Sequence, residues 1–154
     1  EALGMFIDLS HINDEGFWDV MEIATRPLVV SHSNCRALAG TMRNLSDAQI
    51  EAVAANGGVI GMNSINRFIS DLIDHVDHIV QIGGIDHVGI GFDLCDSFKN
   101  FLNVDKALES YDVVKSHAGL GEFTAGLITR GYKDEQIIAI LGGNFMRVFS
   151  DILD

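Results

Sequence analysis

Four short apolar runs, each ending in a polar side chain, constrain the fold of this chain more than any other feature. The runs end, in chain order, at His11, His32, Asn63 and Asp93. Successive end residues lie 21, 31 and 30 positions apart, which is the size of a β-strand followed by a helix. Apolar strands that alternate with helical segments are typical of a parallel sheet. We therefore predict an α/β fold with four parallel strands, near residues 4–10, 27–32, 58–63 and 87–92.

Helical patterns occupy the segments between these runs. Ser46 and Gln49 have the spacing of a capping box, which marks the start of a helix. Apolar residues from Leu72 to Val80 recur with helical period, and Gly83 and Gly84 follow them as a stop signal. The length of the chain permits one domain, so we expect these helices to cover a single sheet.

Further helices are expected towards both ends of the chain. Asn13 or Asp14 can cap a helix that buries Phe17 and Trp18 in the core. An irregular stretch is expected from Asp96 to about Gly119. Beyond it, the pattern predicts helices over 120–130 and 134–141, an interruption at 142–144 and a last short helix over 145–153.

The histidines at the ends of the first two runs are candidate metal ligands. Both follow a serine, in the pairs Ser10-His11 and Ser31-His32. A single histidine at a strand end is more often a hydrogen-bonded residue of the rim, but two on neighbouring parallel strands would lie a few ångströms apart. Because imidazole is the commonest protein ligand for metals, the pair favours a metal site. Asp93 alone could be a helix cap, but beside two such histidines a metal-site carboxylate is favoured.

Composition excludes some classes of partner. The formal net charge of −12 argues against nucleic acid or an anionic membrane surface as a partner. No uninterrupted apolar run reaches the roughly 18 residues of a membrane span, and we expect no membrane partner. Cys35 and Cys95 are too few for a disulfide framework, so we expect free thiols in a reducing compartment and a cytoplasmic protein. The chain begins at Glu1, and any targeting signal would lie upstream of it.

Several motifs together resemble the second half of the membrane dipeptidase family, the renal dipeptidase-like zinc peptidases (peptidase family M19) of the amidohydrolase superfamily. They are Ile7–His11, Val30–Asn34, Met42–Asp47, His75–Ile79, Val88–Asp93 and Gly143–Phe149. The resemblance implies a (β/α)8 TIM barrel, of which residues 1–154 would be the C-terminal half with strands five to eight. The N-terminal half would then be absent from this chain.

The resemblance also implies a function, zinc-dependent hydrolysis of dipeptides by a metal-activated water. His11 and His32 match the histidines that hold one of the family's two zinc ions. Asp93 matches the carboxylate that takes part in proton transfer, and Arg43 matches the arginine that binds the carboxylate of the dipeptide. A guanidinium suits that role because it pairs a carboxylate bidentately.

The chain departs from the family pattern at several positions. The family's substrate-contacting tyrosine falls at Phe68, and the turn after Asp93 carries Cys95, which we expect to be an inert, half-buried thiol. The family's His-x-Asp motif and its bridging glutamate have no counterpart here. The ligands present would hold at most one zinc ion. We therefore expect the 154-residue chain alone to be inactive, and to self-associate or to pair with the missing half.

The remaining histidines read as structural or solvated. His75 and His78 lie three apart on a predicted helix, where packing or capping is expected. His87 and His117 should be solvated, with His117 also placed to line a substrate pocket, and the Gly89-x-Gly91 pair indicates tight strand packing. Two alternative functions stay open, a TatD-type metal-dependent nuclease and a degenerate half-barrel without catalysis.

Overall fold

The structure, a computed structural model, describes residues 3–66, 71–95 and 111–153 and has an α/β fold. The helices are α1 Asp14–Ile23, α2 Asp47–Ala55, α3 Leu72–Gly83, α4 Leu120–Arg130, α5 Asp134–Ile138 and α6 Asn144–Leu153. The strands are β1 Val29–Val30, β2 Val59–Met62 and β3 Val88–Ile90. Short 3₁₀ turns cover Ile85–His87 and His117–Gly119, and a π-helical turn covers Ala139–Gly143.

The three strands form one parallel sheet in the order β1-β2-β3. Val29 is in register with Val59, and Ile60 with Val88. All four residues of β2 are buried, as expected for a central strand covered on both faces. Parallel strands end at the same edge of a sheet, so this topology gathers the predicted end residues on one rim.

The expectation of four strands is correct for three and wrong for the first. Residues 4–10 form no regular strand; Asp8 alone makes a parallel bridge, to Val29. Two backbone hydrogen bonds hold it there, from Leu9 N to Val29 O at 2.8 Å and from Val29 N to Ile7 O at 3.1 Å. Met5 is 62% exposed. Within the described residues nothing pairs with the outer edge of this segment, and its ladder therefore stays short.

Local signals place the helices as predicted. Asn13 caps α1 by accepting a hydrogen bond from Gly16 N, and the capping box of Ser46 and Gln49 begins α2. Phe17 is fully buried, but Trp18 is 45% exposed, so its expected place in the core is wrong. Successive helical residues point about 100° apart, and only one of the two rings can face the sheet.

The predicted interruption between the last two helices is confirmed at Gly142. A π-helical turn lies between α5 and α6, and Gly142 within it leaves helical geometry, with φ 169° and ψ −20°, so the chain kinks there. Asn144 Nδ2 donates to the carbonyls of Ile85 and Val88, both at 2.7 Å, so α6 is clamped to the entry of β3. By length and composition alone, the helical stretch over 134–153 is long and apolar enough to cross a membrane. The search for uninterrupted apolar runs in the sequence did not identify it. Core helices of folded domains share that property.

Glycines let the strand ends approach closely. A Cβ on Gly61 would lie 2.1 Å from the Ser31 carbonyl oxygen, and one on Gly91 would lie 1.8 Å from the same atom. A Cβ on Gly89 would lie 2.7 Å from the Phe145 ring. The predicted tight packing around the Gly89-x-Gly91 pair is therefore confirmed. It brings the end of β1 against the ends of β2 and β3.

Candidate metal centre

The two histidines predicted as ligands meet at the carboxyl end of the sheet. The Nε2 atoms of His11 and His32 lie 2.9 Å apart, and the ring planes are inclined at 61°. Two nitrogens that share a tetrahedral zinc at about 2.0–2.1 Å stand roughly 3.3 Å apart. A small outward rotation of either ring would reach that separation, so the pair fits a metal ion bound through both Nε2 atoms.

Two residues of this rim have a backbone conformation that side chains rarely adopt. His11 has φ 69° and Asp93 has φ 54°, and within the described residues they are the only non-glycine residues with positive φ. A non-glycine residue in the left-handed region is uncommon, and such conformations cluster at functional sites. Both turns follow the end of a predicted strand and aim their side chains at one rim.

Asp93 completes the rim on the side of β3. Its Oδ2 lies 3.7 Å from His32 Nε2 and accepts a hydrogen bond from Asn63 Nδ2 at 3.0 Å. Asp93 and His32 both line a cavity of about 590 Å³. His117 is exposed and lines the same cavity, as expected for a residue near a substrate pocket. Across the described ranges, no group of three or more His, Cys, Asp and Glu side chains is close enough to hold a metal ion.

Arg43 lies beside the histidine pair. Its Nη2 donates to the His32 carbonyl at 2.8 Å, and Nη1 lies 3.4 Å from Ser33 Oγ. Burial lowers the pKa of Arg43, while the carboxylates of Asp93 and Asp8 act in the opposite direction. The guanidinium also borders a second cavity of about 310 Å³, which His11 lines as well. The structure thus brings together all four residues singled out from the sequence.

A network behind His32 was not found from the sequence. Ser31 Oγ donates to Asp8 Oδ2 and lies 2.7 Å from His32 Nδ1. Burial alone would raise the pKa of Asp8, but hydrogen bonds from Ser31 and Ser10 bring it below its usual value. Burial lowers the pKa of His32 and so favours the neutral ring that binds metals. The only sequence signal was the serine before each histidine.

The other histidines have structural surroundings. His75 is fully buried and its Nδ1 accepts a hydrogen bond from Cys35 N at 3.0 Å; burial lowers its pKa to about 4. His78 Nε2 lies 2.8 Å from Asp47 Oδ1. His87 is half-buried, with Nδ1 2.7 Å from Gly58 O, so the expectation that it is solvated is wrong. Its ring therefore lies against the turn that precedes β2.

The cysteines are free, as expected. Burial raises the pKa of the Cys35 thiol to about 12. Cys95 is half-buried, and its backbone N–H donates to Asp112 Oδ2 at 2.8 Å, while Sγ lies 3.5 Å from Oδ1 of the same side chain. The thiol therefore contacts a carboxylate rather than the histidine pair. Phe68, the position of the family's tyrosine, lies outside the described residues.

A parallel α/β sheet with paired imidazoles and a carboxylate at the carboxyl ends of its strands defines a metallohydrolase-like rim. The chain belongs to the membrane dipeptidase family, peptidase family M19, whose model matches residues 1–154. This match supports the resemblance inferred from the motifs. It does not favour the alternative of a TatD-type nuclease.

Individual relatives agree with the family. The chain is 35% identical to an uncharacterized protein in the pqqA 5′ region of Klebsiella pneumoniae, over 98% of this chain and 56% of that protein. It is 32% identical to an uncharacterized dipeptidase of Schizosaccharomyces pombe, over 96% of this chain and 36% of that protein. The chain thus spans about half the length, or less, of these relatives.

A solved structure has the same fold. The metallo peptidase from Rhodobacter sphaeroides, liganded with a phosphinate mimic of the dipeptide L-Ala-D-Ala, is 26% identical, with a TM-score of 0.83. The match covers 98% of this chain and 43% of that one. The three parallel strands and their helices therefore correspond to part of a larger metallopeptidase. That the chain is the C-terminal half of a barrel stays a prediction.

Proposed function

We propose that the full-length protein carrying this chain is a zinc-dependent dipeptidase that hydrolyses the peptide bond by a metal-activated water. The observation that carries the proposal is the 2.9 Å approach of His11 and His32 Nε2, with Asp93 beside them on the same rim. Membership of the membrane dipeptidase family supports the same chemistry. Bound zinc would lower the pKa of water and polarise the scissile carbonyl.

His11 and His32 would hold one zinc ion through Nε2. Their own contribution is to place two ring nitrogens on one rim. The family's second metal ion would need further ligands, the His-x-Asp motif and the bridging glutamate. Neither has a counterpart in this sequence. The complete site would then use residues from both halves of the full-length protein.

Asp93 would act in proton transfer. Its carboxylate lies on the wall of the larger cavity, so it is open to the substrate side. Asn63 holds Oδ2 by donating a hydrogen bond, and the positive φ of Asp93 fixes the direction of the side chain. In that position the carboxylate accepts a proton from the attacking water and returns it to the leaving amine, a role typically worth 10²–10⁴-fold in rate.

Arg43 would anchor the substrate's terminal carboxylate. Its guanidinium is partly buried and lies against the His32 carbonyl, so its distance from the metal rim is set by the fold. A fork of N–H donors beside the rim suits a short substrate whose carboxylate lies near the scissile bond. The dipeptide mimic bound to the Rhodobacter sphaeroides enzyme supports this class of substrate.

The test is hydrolysis by the full-length protein after loading with zinc. We expect turnover of dipeptides, little turnover of tripeptides and none of single-stranded DNA. Zinc content, measured by atomic emission, should fall with activity when the protein is dialysed against a chelator. A protein that binds zinc but hydrolyses no dipeptide would instead support the degenerate, non-catalytic alternative.

A further inference from the structure

A chain of side chains links Asp8 on the edge of the sheet to the ring of His32. The hydroxyl of Ser31 donates to Asp8 Oδ2 at 2.5 Å, and the same oxygen lies 2.7 Å from His32 Nδ1. Asp8 Oδ1 also accepts backbone hydrogen bonds from Ser10 and Ser31, each at 2.9 Å. The carboxylate is therefore held on both oxygens, and it faces the hydroxyl in a fixed direction.

The direction of the Ser31 hydroxyl decides which ring nitrogen of His32 carries the proton. A hydroxyl has one hydrogen, and in Ser31 this hydrogen is directed to Asp8. Towards His32 the oxygen can then act only as an acceptor. Nδ1 must supply the hydrogen of that bond, which leaves Nε2 with its lone pair towards the rim.

Ser10 completes the same network. Its Oγ accepts a hydrogen bond from the backbone N–H of His32 at 3.0 Å and lies 3.2 Å from Ser31 Oγ. The Ser10 hydroxyl can therefore donate to the second lone pair of Ser31 Oγ. With these contacts each donor in the network has an acceptor. The hydrogen bonds are then donated in one direction, from His32 Nδ1 to Ser31 Oγ and from Ser31 Oγ to Asp8 Oδ2.

We propose that Asp8 and Ser31 are positioning residues, which hold His32 in the Nδ1–H tautomer so that Nε2 is ready to bind a metal ion. Partners that fix the tautomer of a ligating histidine typically change metal affinity by 10–100-fold.

The first test measures the tautomer in the metal-free, full-length protein labelled with ¹⁵N-histidine. Two-bond proton–nitrogen spectra distinguish the tautomers. We expect His32 as the Nδ1–H form in the wild type and a mixture of forms in Ser31→Ala. Ser31→Thr, which keeps the hydroxyl, should restore the wild-type spectrum. A His32 ring that stays in the Nδ1–H form in Ser31→Ala would overturn the proposal.

The second test measures zinc affinity by competition with a chelator. We expect Ser31→Ala to weaken binding by about 10–100-fold, with most of the loss recovered in Ser31→Thr. Ser64→Ala is the matched control, because Ser64 Oγ donates to the Phe92 carbonyl on the neighbouring strand end and makes no bond to a histidine. An affinity in Ser31→Ala equal to that of the wild type would contradict the proposal.

If Ser31→Ala does not fold, by circular dichroism, Asp8→Asn replaces it. The amide oxygen would keep the two backbone hydrogen bonds that Oδ1 accepts, and Nδ2, a donor, would then face Ser31 Oγ in place of the acceptor Oδ2. The inference rests on the proposed zinc function, yet the tautomer measurement needs no metal. A wild type that binds no zinc would defeat the proposed function alone, while an unaltered tautomer in the variants would defeat this inference alone.

Discussion

His11 and His32 come from different turns, 21 residues apart, and their Nε2 atoms lie 2.9 Å from each other. Local sequence preference does not bring these two side chains into contact. The contact follows from the bridge between Asp8 and Val29, which aligns the two segments in parallel, and from the positive φ of His11, which turns its ring over the end of β1.

Removal of either imidazole should abolish activity. We expect His11→Ala and His32→Ala in the full-length protein to lower dipeptide kcat/KM by roughly a thousandfold or more, since metal activation is worth several kcal/mol of barrier. Bound zinc, measured by atomic emission, should fall in parallel. His78→Ala is the control, because that ring contacts Asp47 on the helices rather than the rim. Near-normal hydrolysis in either rim variant would contradict the assignment of ligands.

Asp93→Asn should separate catalysis from metal binding. The amide keeps an oxygen that can accept from Asn63 but cannot take a proton, so we expect kcat to fall by about 10²–10⁴-fold. Zinc content should change little, because the histidine pair is intact. The measurement is steady-state hydrolysis together with metal analysis of the same sample. A loss of zinc in proportion to activity would show that Asp93 is a ligand and not a proton acceptor.

Arg43→Lys should weaken recognition of the substrate's carboxylate. The bidentate fork is lost while the charge stays, and charge-assisted hydrogen bonds contribute about 1.5–3 kcal/mol, so we expect kcat/KM to fall by roughly 10–150-fold. A dipeptide whose carboxylate is replaced by an amide is the control substrate, since it lacks the group that Arg43 would bind. Equal losses on both substrates would assign Arg43 a structural role, through its bond to the His32 carbonyl.

Stability should fall below neutral pH because of His75. Burial lowers its folded-state pKa to about 4, whereas the unfolded chain keeps the ordinary value near 6.5. The unfolded state therefore binds the proton first. The contribution of neutral His75 to the free energy of unfolding is complete above about pH 6.5 and is lost as the pH falls to about 4. This loss is on the order of 3 kcal/mol.

Urea unfolding of the full-length protein at pH 7.5 and 4.5 checks this prediction. His75→Gln offers an oxygen to Cys35 N without a titrating group, and it should lose this part of the pH dependence while being less stable at pH 7.5. If the free energy of unfolding depends on pH equally in the wild type and in His75→Gln, other groups dominate the acid unfolding.

The 154-residue chain by itself should associate and should not hydrolyse dipeptides. Leu3, Met5 and Phe6 are 84%, 62% and 45% exposed beside the short bridge at the edge of the sheet, and exposed apolar edges drive pairing with another chain. Light scattering at micromolar concentration should show dimers or larger species. A monodisperse monomer would contradict the expected association. Zinc-supported turnover close to that of the full-length protein would contradict the expected inactivity.

The sequence predicted much of the architecture because the signals there are local. The helix over 120–130 begins and ends where expected, and the caps at Asn13 and Ser46 form as their spacing predicts. The errors arose where neighbours outweigh local preference. Trp18 is a residue type typical of the core, but it lies on the exposed side of α1. Residues 4–10 form a single bridge to Val29 rather than the predicted strand.

The sequence by itself determined which residue types stand at the ends of the strands, because an apolar run followed by a polar residue specifies where a buried strand stops. Only the tertiary structure decided how those residues meet. The direction of the Ser31 hydroxyl, the approach of Arg43 to the His32 carbonyl and the 3.7 Å gap between His32 and Asp93 depend on sheet register and on two positive φ angles. Such contacts join residues from different turns, and local sequence preference carries no information about their distances.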